Sequence, residues 1–142
     1  MIPRILVVED DRPIRTLLVT ALRRAGLEAE EAADGAEALE VMAGRSFAVV
    51  LIDLMMPRMD GFTLIERLGS MGGERRPLVI VMTAFPDMST HHLDPHVVHA
   101  FLRKPFDLGL VVELIREAVR ELGMAEGMSE GPPDQLQAGN VC

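Results

Sequence analysis

Four short apolar runs constrain the fold more than any other feature, because each breaks off into polar residues of a particular kind. Ile5-Leu6-Val7-Val8 precedes Glu9-Asp10-Asp11, Phe47-Ala48-Val49-Val50-Leu51-Ile52 precedes Asp53, Leu78-Val79-Ile80-Val81-Met82 precedes Thr83-Ala84, and Ala100-Phe101-Leu102 precedes Lys104-Pro105-Phe106. Runs without polar alternation suit strands of a parallel sheet buried on both faces. Ligand sites in open sheets of this kind gather beyond the carboxyl ends of the strands. The carboxylates, the hydroxyl and the ammonium are therefore expected to meet in one crevice.

Helical patterns alternate with the strands. Ile14, Leu17, Leu18, Ala21, Leu22 and Ala25 form one apolar stripe, with Asp11 placed as its cap, Pro13 in its first turn and Gly26 at its left-handed stop. Leu27 to Ala33, rich in glutamate, suits a sheet edge. Ala36 to Ala43 after the Asp34-Gly35 turn, Gly61 to Met71 with Leu64, Ile65 and Leu68 inward, and Asp107 to Leu122 with Leu108, Val111, Val112, Ile115, Val119 and Leu122 on one face read as further helices. Leu110 and Leu114 lie off that last stripe. Residues 86–97 carry little periodicity and an internal Pro95, so a short or irregular crossover with fast amide exchange is expected there. Right-handed crossovers with the most apolar runs in the middle give a flavodoxin-like, doubly wound (βα)5 α/β fold with a parallel five-stranded sheet in the order 2-1-3-4-5.

The 142 residues amount to one domain, at 1–123, followed by a polar, Gly- and Pro-rich segment at 124–142 that reads as a flexible tail. On this reading no effector module follows, and output is intermolecular. A net charge of -8 argues against nucleic-acid binding. A lone Cys142, an N-terminus that runs straight into a strand and the lack of a membrane-length apolar stretch favour the cytoplasm.

Clustered carboxylates repel, so Glu9, Asp10 and Asp53 in one crevice must raise a pKa or recruit a cation, and oxygen-only donors with open positions suit Mg²⁺. A carboxylate can also attack phosphorus to give an aspartyl phosphate if the incoming charge is neutralised. Asp53 would supply the bond, while the metal, Lys104 and the Thr83 hydroxyl would each take one phosphoryl oxygen. Asp11 is explained by its capping role alone. His91, His92, His96 and His99 read as solvated loop histidines, since Pro95 disrupts any helical face on which they would converge.

Val7-Val8-Glu9-Asp10-Asp11, Asp53-Leu54-Met55-Met56-Pro57-Arg58-Met59-Asp60-Gly61, Thr83-Ala84 and Lys104-Pro105-Phe106 together resemble the receiver domain of two-component response regulators, over about residues 3–122. The resemblance implies that Asp53 accepts a phosphoryl group from a histidine kinase or a histidine phosphotransfer protein. It further implies an acid pocket of Glu9 and Asp10, and Mg²⁺ held by Asp10, Asp53 and the main-chain carbonyl of Met55. Lys104 would pair with the phosphoryl group across a cis bond to Pro105. Thr83 would swing toward that group while Phe101 turns inward, altering a surface of the fourth helix, fifth strand and last helix that contacts an output partner or a second copy. Phe101 is expected to be core or half-buried in either role.

Such a domain would be no enzyme beyond its own phosphorylation and dephosphorylation. Two other readings exist. An aspartate-nucleophile phosphohydrolase would need a second aspartate where Met55 stands, and a phosphorylation-independent adaptor would not need the complete set of site residues. Because Met55 and Phe85 cannot orient a water, slow self-hydrolysis is expected.

Overall fold

The computed structural model describes residues 3–54, 56, 61–71, 76–84 and 93–122. Their elements are β1 (Arg4–Val8), α1 (Arg12–Arg24), β2 (Glu28–Ala32), α2 (Gly35–Met42), β3 (Val49–Asp53), α3 (Gly61–Gly69), β4 (Leu78–Thr83), β5 (Val98–Arg103) and α4 (Leu108–Glu121). All strand pairs are parallel, and the order β2-β1-β3-β4-β5 is the expected one. The chain therefore has the flavodoxin-like doubly wound fold.

Strand period divides the core in two. Leu6, Val8, Val50, Ile52, Val79 and Val81 pack on one face with Leu64, Ile65 and Leu68 of α3. Ile5, Val7, Leu51, Ile80 and Met82 pack on the other with Leu18 and Leu22 of α1 and Val111 and Ile115 of α4. Successive residues point to opposite faces, so runs that are apolar throughout serve both layers. Each fully buried Leu or Ile contributes about 1.5–3 kcal/mol of transfer free energy, and truncating Leu51 or Ile80 to alanine would open a cavity at the centre of the sheet.

Short-range signals set the helix ends. The Asp11 carboxylate accepts from the Ile14 amide at 3.2 Å, Pro13 lies in the first turn, and Gly26 follows the helix at φ +89°. Asp107 caps α4 by accepting from the amides of Gly109 and Leu110. Asp34 caps α2 through the Glu37 amide while Glu37 accepts from Ala33, so the helix begins at Gly35 and the expected Asp34-Gly35 turn is a reciprocal cap.

The structure alters several expectations. Leu17 is 56% exposed and Val19 is buried, because α1 is rotated so that Leu18, Val19 and Leu22 form its buried face. Leu114 packs partly against the second core cluster, whereas Leu122, beyond the last turn of α4, is exposed. β3 starts at Val49, leaving Phe47 and Ala48 buried ahead of it. β5 runs from Val98 and is longer than the Ala100–Leu102 core of the pattern, with a register shift beside Val79 and Ile80, so His99 lies in a strand. The described part of the fourth crossover, residues 93–97, is a turn in which Asp94 accepts from the amides of His96, Val97 and Val98. The rest of that crossover and the tail lie outside the described residues. No described helix is long and apolar enough to cross a membrane.

Candidate functional site

Strand register explains how distant residues become neighbours. Val8 pairs with Ile52, which puts Glu9 level with Asp53, and Asp53 pairs with Met82, which puts Thr83 one step beyond it. Thr83 in turn pairs with Arg103, and the Lys104 amide donates to the Thr83 carbonyl at 2.9 Å. Glu9, Asp53 and Thr83 are buried at this rim, whereas Asp10 is exposed.

The Lys104 ammonium lies 3.2 Å from Glu9 Oε1 and 3.3 Å from Asp53 Oδ2, tying the ends of β1 and β3 to the end of β5. One oxygen each from Glu9, Asp10 and Asp53 lie within 4.8 Å of one another. Three carboxylates thus cluster around one ammonium that pairs with only two of them, and charge balance favours a cation. The donors are oxygen only, and the exposure of Asp10 leaves open positions for water and phosphate, a set that fits Mg²⁺.

Glu9 registers the crowding. Burial, the largest influence, lifts its carboxyl from 4.5 to about 7; Asp53 adds to the rise, while a hydrogen bond from the Asp11 amide and the charge of Lys104 oppose it. For Lys104, burial pulls downward, but the charges of Asp53 and Glu9 prevail and leave the ammonium above its ordinary value.

The bond between Lys104 and Pro105 is cis, as the resemblance implies. Phe101, expected in the core or half-buried, is 45% exposed, so the core alternative does not hold. It lies on an edge strand, and its neighbours Ala100 and Leu102 face the core between α1 and α4, which leaves Phe101 on the opposite side. Met55 and Phe85 lie outside the described residues, so the carbonyl ligand and the water-path expectation fall there too.

Two further residues, Gly61 and Arg15, support the rim. A side chain at Gly61 would put Cβ 2.6 Å from Leu54 Cα and 2.7 Å from the Asp53 carbonyl, and the Gly61 amide donates to Leu54 at 3.0 Å. Only glycine lets the chain close so tightly behind Asp53, and the Asp60-Gly61 pair is the signal that marks it. Arg15 donates to the Glu9 carbonyl at 2.9 Å, a contact for which the sequence gives no signal.

Fold and rim together define a doubly wound α/β domain with an acidic crevice at its strand ends. The chain belongs to the response regulator receiver domain family, whose pattern matches residues 5–116. It is 38% identical over 117 residues to the DNA-binding transcriptional regulator NtrC of Escherichia coli K12, covering 80% of this chain and 24% of that protein. It is 36% identical over 126 residues to the response regulator MprA of Mycobacterium sp. KMS, covering 87% and 54%. The chain thus spans from about a quarter to about half of these curated relatives. A CheY-like response regulator receiver domain protein from Methanospirillum hungatei superposes with a TM-score of 0.79 at 26% identity, over 87% of this chain and 98% of that one. The response regulator TrrA of Thermotoga maritima, solved in complex with Mg(2+)-BeF, gives 0.71 at 26%, over 82% and 99%.

Proposed function

We propose that this receiver domain accepts a phosphoryl group on Asp53 from a histidine kinase or histidine phosphotransfer protein, with Mg²⁺ in the acid pocket. The modified domain then switches a partner-binding surface or passes the group onward. The observation that carries the reading is the convergence of Glu9, Asp10 and Asp53 with Lys104 bridging two of them. An Asp53 oxygen attacks phosphorus, the bond from phosphorus to the donor imidazole nitrogen breaks, and its electron pair stays on that ring. Asp10 and Asp53, with Glu9 beside them, would hold Mg²⁺, and the Met55 carbonyl is the further ligand that the family resemblance implies; the ion would supply neutralising charge to the transferring group. Lys104, already at Asp53, takes a second phosphoryl oxygen, and the Thr83 hydroxyl a third.

The donor must bring its histidine to this rim. An apolar groove of about 540 Å³ opens beside Lys104, lined by Ile14, Leu17, Pro105, Phe106 and Leu108, and the exposure of Leu17 is then part of a landing surface. On the far side of the sheet edge, the exposed Phe101 is free to move inward once Thr83 engages the phosphoryl group. That exchange would be a shift between two packings, read by an output partner or a second copy at β5 and α4. The domain so used is a cytoplasmic signalling module and not an enzyme acting on other substrates.

Incubation with acetyl phosphate and magnesium tests the reading by intact mass. Wild type should gain about 80 Da, lost on adding EDTA beforehand and absent in Asp53→Asn. No gain in wild type, or an equal gain in Asp53→Asn, would overturn it.

A further inference from the structure

Asp10 differs from its two partners in the acid pocket. Lys104 holds Glu9 and Asp53 but does not pair with Asp10, which is exposed. The direction of the Asp10 carboxylate is therefore governed by its main chain, and first by the peptide that joins it to Glu9. Both ends of Glu9 are fixed. Its amide donates to the Ala32 carbonyl at 3.1 Å, and its carbonyl, the oxygen of the Glu9–Asp10 peptide, accepts from Arg15 Nη1 at 2.9 Å.

The guanidinium is itself held. Arg15 Nε donates to Glu31 Oε1 at 2.8 Å, and the side chain is only 14% exposed although it stands on the first turns of α1. Glu31 pairs in register with Val7 and precedes the Ala32 whose carbonyl holds the Glu9 amide. One planar fork thus joins α1, the end of β1 and the end of β2. Lysine, with a single ammonium, would not reproduce both bonds in that geometry.

We propose that Arg15 is a positioning residue for the cation site, fixing the Glu9–Asp10 peptide so that Asp10 faces the metal position between itself and Asp53. This rests on the reading of the crevice as a Mg²⁺ site. Groups that orient metal ligands typically change affinity 10–100-fold when removed.

The sign of the effect separates this role from its rivals. Arg15 is a cation beside a cation site, so if it acted only through its charge, its removal would tighten Mg²⁺ binding. If it served only to hold the fold, its removal would lower the melting temperature and leave Mg²⁺ affinity in the folded protein unchanged. Positioning predicts weaker binding.

Calorimetric titration of the unphosphorylated protein with magnesium chloride decides among these, with amide exchange at Asp10 and Asp11 measured alongside. Arg15→Met should weaken Mg²⁺ about tenfold and speed exchange at those two amides, with exchange in β3 and β4 unchanged. Arg15→Lys, which keeps the charge, should fall between Arg15→Met and wild type, and it serves if the methionine variant does not fold. Affinity equal to or tighter than wild type in either folded variant would overturn the proposal. A wild type that takes up no magnesium would sink the metal-site reading, and this role with it.

Discussion

The two ends of the sheet each carry a cluster of charge, and they use it in opposite ways. At the carboxyl rim three carboxylates cluster and one ammonium pairs with two of them, Glu9 fully and Asp53 almost fully buried. At the amino end Arg4 lies 3.7 Å from both Glu28 and Glu30, Arg45 also pairs with Glu30, and the two guanidinium groups sit 5.7 and 5.6 Å from the centre of the Phe47 ring. There two cations balance two anions, all four groups stay about a third or more exposed, and the arginines lie over an aromatic face. Balance and partial exposure mark a structural cluster, whereas burial with an excess of one sign is the electrostatic pattern of functional sites.

Removing Lys104 should have the largest effect. Lys104→Met leaves Glu9 and Asp53 buried without their cation and should cost about 3 kcal/mol at pH 8, read by chemical denaturation without magnesium. The loss should shrink at pH 5, where Glu9 can take up a proton. An equal loss at both pH values would mean that Glu9 does not share the burden.

The pH dependence of the wild type comes next. The folded protein holds the Glu9 proton more tightly than the unfolded chain between pH 4.5 and about 7. The contribution of Glu9 to stability is therefore full below pH 4.5 and is lost as pH rises through 7, by up to about 3 kcal/mol. Saturating Mg²⁺ should oppose that decline, because the cation favours the ionised carboxylate. Parallel stability curves with and without magnesium across this range would break the contrast between the two ends.

Glu9→Gln should be milder and of opposite sign. It removes a buried charge and should stabilise the metal-free protein by about 1–2 kcal/mol at pH 8, while weakening Mg²⁺ in a titration. At the amino end, Arg45→Ala should cost no more than about 1 kcal/mol, with little dependence on magnesium. A larger cost there would make the balanced cluster as consequential as the rim.

Most of the architecture was legible because each local signal agreed with the global fold. Doubly buried strands gave uninterrupted apolar runs, Asp11 and Asp107 marked helix starts, and the glutamates of β2 marked an edge. The rim residues were legible for a related reason: register in a parallel sheet brings strand ends level, so Glu9, Asp53, Thr83 and Lys104 needed only their positions after the runs. What escaped depended on rotation and on single long-range contacts. The stripe of α1 spans more positions than the sheet covers, so periodicity could not say that Leu17 would be left outside and Val19 buried. Phe101 is apolar and lies in a strand, yet nothing local says that one face of the edge strand leaves it open. Arg15 looks like any solvated helix arginine until the Glu9 carbonyl and the Glu31 carboxylate are seen to bracket it.

On the proposed reading an acyl phosphate forms at one particular carboxylate. Trapping acetyl-phosphate-treated protein with borohydride, which reduces an aspartyl phosphate to homoserine, and sequencing the peptides by mass spectrometry locates that bond. Homoserine is expected at position 53 and nowhere else. Reduction at Asp10 or Glu9 instead, or phosphate recovered only on serine or histidine, would contradict it.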